Sequence, residues 1–207
     1  MEALTAEFGR VFWRFVKEGG YENRQSSTGE PQFYRFSKPT NPLFPAMLEL
    51  FGRTEIALGD GESGLAPIHI DDEVSSLFAI LLDENYYHLL IDCRASVGGV
   101  AVLSVEGLIP FKAKAWLDLS ERRSIGQSVD AKSIKKHRND VCRLATLLTG
   151  SEQPVMSEGV RRDMQRFMEA YESDPVDPKA LKIKGVETQE VVEVLRSVYL
   201  QQSFAVK

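Results

Sequence analysis

The stretch VEGLIPFKAKAWLDLSERRSIGQSVDAKSIKKHRNDVCRLATLL, residues 105–148, decides how this chain reads. Two runs of apolar residues at helical spacing, 105–122 and 131–148, flank a short polar connector containing Gly126. That is the pattern of two helices joined by a loop. Asp130 is placed to cap the second helix. Nine residues of the stretch are Lys or Arg and five are Asp or Glu, in a chain of net charge −5. A basic island in an acidic chain suits an anionic ligand. For any single one of these charges, a solvated helix surface is the commoner role.

Helical geometry sharpens the pattern. Around Ile109, the residues Ala113, Trp116, Leu108 and Leu119 fall on or beside one apolar face. Lys112 falls among them, whereas Lys114 points away. In the second helix the apolar stripe is Ile134, Val141, Leu144, Ala145 and Leu148. His137 lies inside that stripe, Asp140 at its edge and Lys136 just beyond. A lysine on an apolar face either snorkels to water or needs a partner, because an isolated buried charge is costly. Asp140 and His137 are the natural partners of Lys112. Two roles stand level: a structural Lys–Asp pair between helices, or a lysine aimed into a cleft to meet phosphate.

At 207 residues the chain can form one large domain or two smaller lobes and bury a substantial core. Its apolar fraction of 43% and charged fraction of 27% are those of an ordinary globular protein. No apolar run reaches the ~18–20 residues that span a bilayer, and MEALTAEFGR lacks the pattern of a signal peptide. A cytoplasmic location without membrane contact is the expectation. Cys93 and Cys142 stand far apart with no metal-ligand spacing, so neither a zinc site nor a disulfide framework is indicated. The acidic total speaks against broad nucleic-acid binding.

The remainder of the chain gives a coarse map. Residues 2–18 read as a helix stopped by Gly19 and Gly20. Residues 22–32 read as a loop, 33–36 as a short strand, and 37–45, with three prolines, as irregular. Residues 46–51 read as a strand with Met47, Glu49 and Phe51 on one face and Leu48 and Leu50 on the other. Glu49 there suits either a solvated face at a sheet edge or a metal ligand on an open face. Residues 53–64 read as an acidic loop and 67–70 as a strand. Asp71, Asp72 and Glu73 read as a helix start. Residues 75–83 read as a buried helix, 86–92 and 98–103 as strand-like, with Ser104 capping the helix that follows. Amphipathic helices are predicted over 160–171 and 187–200. The sum is an α+β chain with a mixed α/β part over 1–104 and a helical lobe over 105–207.

The phrases PAMLELFGR (45–53), VSSLFAILLD (74–83) and LIPFKAKAWLDLSERR…IKKHRNDVCRL (108–144) resemble the abortive-infection AbiEii-type nucleotidyltransferases. The resemblance runs from about residue 5 to 148, and its most specific part is the long phrase. It implies a polymerase-beta-like nucleotidyltransferase core, a small mixed sheet with helices, followed by a helical lobe. It also implies carboxylates that hold Mg2+ and a nucleoside triphosphate. By this resemblance Glu49 matches the third metal-binding carboxylate, and Lys112, with Ala115, matches the cleft lysine of a Lys-x-x-Ala pattern. Lys136, His137 and Asp140 match a basic-Asp-x-x-Asp run, with His137 replacing its first acid. The family's Gly-Ser turn and strand-borne Asp-x-Asp have no counterpart before Phe33. The chain is therefore expected to start late or to be a degenerate member.

Two functions follow as expectations. One is a toxin-type transferase moving NMP to an RNA or protein acceptor, with Glu49, Lys112 and Asp140 in the catalytic set and Glu49 on the metal. Lys112, Lys136 and His137 would then hold the nucleotide. The other is a non-catalytic nucleotide- or partner-binding protein on the same fold, without a cofactor. A sheet lacking its first strands would expose an edge through which two copies could pair.

Overall fold

The structure, a computed structural model, describes residues 6–25, 31–53, 65–68 and 77–201. The chain is α+β and forms two compact units, Met1–Glu84 and Asn85–Lys207.

The first unit opens with α1, Ala6–Gly19. Val16 is buried, and Phe8, Phe12 and Trp13 pack on the same cluster, whereas Val11 and Phe15, expected on the apolar side, are exposed. Phe36 is the centre of that cluster. The rings of Phe12 and Trp13 meet it edge-on at 5.4 and 5.6 Å, a preferred aromatic geometry. The helix ends where Gly20 takes φ +61°, and a Cβ there would lie 2.1 Å from the Thr40 hydroxyl. The irregular, proline-rich segment around residue 40 is tied back to this end, with Thr40 N donating to Gly19 O at 2.9 Å.

Strands β1 (Glu22–Gln25), β2 (Pro31–Ser37) and β3 (Met47–Glu49) form an antiparallel sheet in that order. The expected loop over 22–32 is thus partly strand. The strand expected over 46–51 divides at Leu50. Beyond it, β4 (Phe51–Arg53) enters a different sheet, flanking β6 (Leu77–Leu82) in parallel, with β5 (Leu65–Ile68) antiparallel on the other side. Alternation survives in β3. Leu48 and buried Leu50 face the Phe36 cluster, whereas Met47 is half exposed.

Residues 77–82 correct the reading of 75–83 as a buried helix. LFAILL is apolar throughout, and such a run suits a central strand as well as a helix. Pairing on both edges is what decides it. Of the loop expected over 53–64, Arg53 ends β4; residues 54–64 and the Asp71–Glu73 helix start lie outside the described residues.

A second correction concerns 86–92, which is helical. In α2, Glu84–Asp92, Tyr86 and Leu89 reach the core, and Cys93 follows at the same spacing. A period of three to four residues was therefore present where alternation was expected. Next come β7 (Arg94–Val97) and β8 (Val100–Leu103), a hairpin in register Val97↔Val100. Gly98 and Gly99, at φ +58° and +81°, make its two-residue turn, the conformation that matches strand twist. Helix α2 and this hairpin pack with the helices after them. Gly107 shows it: a Cβ there would lie 2.3 Å from Cys93 Cβ. For that reason the units divide at residue 84 and not at 104.

The second unit continues with α3 (Val105–Ser124), α4 (Ala131–Ala145), α5 (Glu158–Ser173), a 3₁₀ turn (Pro178–Leu181) and α6 (Thr188–Tyr199). The stripes expected for α5 and α6 are buried, among them Met164, Phe167, Met168, Leu195 and Val198. Val141 and Cys142 are fully buried side by side.

Pro110 lies inside α3 and has no N–H to offer the carbonyl of Glu106 four residues back. The Tyr199 hydroxyl donates to that carbonyl at 2.8 Å. A side chain from α6 thus satisfies an acceptor that the proline orphans. No helix among the described residues is long and apolar enough to cross a membrane.

Candidate functional site

The helix pair of the quoted stretch forms as read. Gly126, at φ +82°, ends α3, and the Asp130 side chain accepts from Lys132 N at 2.9 Å to cap α4. The two helices pack on each other. Ile109 and Ala113 of α3 are fully buried, and so are Val141 and Ala145 of α4. Leu117, and not Leu119, continues the buried side of α3.

That packing brings Lys112 to Asp140. Lys112 Nζ lies 3.7 Å from Asp140 Oδ2, and Arg143 Nη1 lies 3.4 Å from Oδ1. Both distances exceed a good charge-assisted hydrogen bond. The side chains of Lys112 and Asp140 remain 26% and 22% exposed, so the pair is shielded but reachable. His137 sits one turn before Asp140. Burial, and then the charges of Lys112 and Lys136, hold its pKa below 6.5, with Asp140 opposing. It is therefore neutral at pH 7. Its Nδ1 is buried without a hydrogen-bond partner among the described residues. Lys112 and Arg143 flank a single carboxylate and the charge of Lys136 reaches His137, which leaves the locus cationic.

Glu49 belongs to the first unit, directly across from Arg35 in the β2–β3 register, and the two side chains form an ion pair. Lys112, Lys136, His137 and Asp140 belong to the second unit. Among the described residues, no three His, Cys, Asp or Glu side chains are grouped to hold a metal ion. A magnesium site needs several hard oxygen ligands. The described residues offer Glu49, already matched to Arg35, so they do not fit one.

Lys114 is the residue that sequence reasoning misplaced. It turns toward α5, where its Nζ lies 3.6 Å from Asp163 Oδ2, and it also pairs with Asp118 at 2.9 Å. Burial alone would lower its pKa, but Asp118 and Asp163 outweigh that and raise it. The Asp163 side chain is 12% exposed. It accepts from the Tyr86 hydroxyl at 3.2 Å, and Arg166 Nη1 stands 3.9 Å away. A signal for it existed: Asp163 falls on the apolar stripe between Val160 and Phe167, and a carboxylate there requires partners.

Set against protein-family models, curated proteins and solved structures, the chain matches none.

Proposed function

We propose that the chain is a nucleotide-binding protein, nucleotidyltransferase-like in descent, that holds phosphate at the α3–α4 pair. The observation that carries this reading is the loose contact of Lys112 with Asp140. A lysine 3.7 Å from its carboxylate keeps ammonium donors to offer. With Lys136 and Arg143 close by and His137 neutral, the locus has an excess of positive charge for a polyphosphate. Asp140 keeps Lys112 oriented while the site is empty of anion.

The finer part of the reading, a polymerase-beta-like core, rests on the resemblance of the quoted phrases; the α+β composition is compatible with it. Transfer of NMP to an RNA or protein acceptor would need carboxylates beyond Glu49. Binding is therefore the function put forward, and catalysis is not.

Calorimetry with ATP, GTP, CTP and UTP, each with and without magnesium, tests the reading on the wild type and on Lys112→Ala. Binding of at least one nucleotide is expected. Lys112→Ala should weaken it by about tenfold or more, the loss of one charge-assisted contact. Equal binding by both proteins, or no binding of any of the four, would overturn the proposal.

A further inference from the structure

A groove of about 530 Å³ runs between α3, α4 and the segment that follows α5. It shares none of its lining residues with the Lys112–Asp140 locus. Its size falls within the roughly 300–1,000 Å³ of small-molecule sites. One side is apolar, built by Trp116, Ile134, Val176 and Leu181. Arg123, Lys135 and Arg138 bring three cations to it, against the one carboxylate of Asp174. Among the described residues neither Arg123 nor Lys135 has an ion-pair partner.

Arg138 is the centre of this arrangement. Its guanidinium lies 5.8 Å from the centroid of the Tyr171 ring, which supports it from within the core. Nη1 donates to Asp174 Oδ2 at 2.8 Å, while Nε is buried without a hydrogen-bond partner among the described residues. The Arg138 side chain is 21% exposed and that of Asp174 is 80% exposed. The cation is thus fixed, and its carboxylate partner hangs from the solvent side at the end of α5. An exposed ion pair of this kind is weak, so the carboxylate can be exchanged for another anion.

We propose that this groove binds a small aromatic anion. The flat ring would lie against Trp116 and Ile134, and the anionic group would replace Asp174 on Arg138 with Lys135 and Arg123 beside it. A guanidinium presents a planar donor fork suited to carboxylate or phosphate, and a flat apolar body suits an indole wall. The proposal does not depend on nucleotide binding at Lys112.

The probe is 1-naphthyl phosphate, titrated by calorimetry beside inorganic phosphate. The wild type should bind the naphthyl ester about tenfold or more tightly than inorganic phosphate, because the ring buries apolar surface. Asp174→Asn removes the competing carboxylate and should tighten the ester about threefold or more. Lys135→Gln, at an exposed position that cannot endanger the fold, should weaken it about threefold. The preference for the ester over phosphate should persist in a Lys112→Ala background. Four results would overturn the proposal: no binding of the ester, equal affinity for ester and phosphate, an Asp174→Asn protein that binds no better than wild type, or loss of the ester preference in the Lys112→Ala background. The last would return the ester to the other locus, and loss of nucleotide binding alone would leave the groove intact.

Discussion

Helix α3 carries two lysines two residues apart, and they meet two different kinds of carboxylate. Lys114 faces Asp163, which is nearly buried and also holds the Tyr86 hydroxyl at 3.2 Å. Lys112 faces Asp140 at 3.7 Å, a carboxylate that is more open and shared with Arg143, whereas Lys114 also holds Asp118 at 2.9 Å. The first arrangement draws α2, α3 and α5 together. The second joins two helices that apolar packing already joins. A carboxylate with a neutral donor and a cation inside a core is structural, whereas a cation with no carboxylate within hydrogen-bond distance retains capacity for a ligand.

The strongest test of this contrast is Asp163→Ala. It should cost about 2–3 kcal/mol, since it strands the Tyr86 hydroxyl and a half-shielded ammonium. Urea unfolding reads it, and a loss near zero would make the two lysine sites equivalent.

A second anchor of α3 should come next. Tyr199→Phe removes the donor to the Glu106 carbonyl and should cost about 1–2 kcal/mol. In a Pro110→Ala background the new N–H can reach that carbonyl, so the same change should cost roughly half as much. Equal costs in both backgrounds would disconnect the tyrosine from the proline.

The third test goes to the open site. Lys112→Met combined with Asp140→Leu should leave stability within about 1 kcal/mol of wild type while removing nucleotide binding. A drop comparable to that of Asp163→Ala would make Lys112–Asp140 a structural pair.

The smallest effect concerns His137. Its pKa is lowered in the folded chain, so between the folded value and 6.5 the unfolded chain binds more protons. The stability that follows is present above pH 6.5 and fades as pH falls through it. Melting temperatures at about pH 5.5 and about pH 7.5 should therefore diverge less in His137→Asn than in wild type. An unchanged divergence would show that burial and the charges of Lys112 and Lys136 do not hold the His137 pKa down.

Much of the second unit was legible in the sequence because its helices are long and one-sided. The Asp130 cap, the Gly126 turn, the stripe of Met164, Phe167 and Met168, and the places of Lys112 and Asp140 on their own helix faces all follow from a 3.6-residue period and elementary capping chemistry. Short apolar runs were less legible. Residues 77–82 and 84–92 exchanged their expected types, because six to nine residues do not separate a buried strand from a short helix by periodicity alone. The first became a strand because β4 and β5 pair on both of its edges. The second became a helix because Tyr86 and Leu89 face the core.

By itself, the sequence determined the helix pair, the Asp130 cap and the basic excess, since each depends on residues linked by local helical geometry. Only the tertiary structure decided that Glu49 is spent on Arg35 and that Lys114 turns inward to Asp163. It also decided that Tyr199 answers the carbonyl freed by Pro110 and that Arg138 stands over Tyr171 at the edge of a groove. Each of these joins residues from separate elements. Their meeting depends on how the elements pack, which no local period encodes.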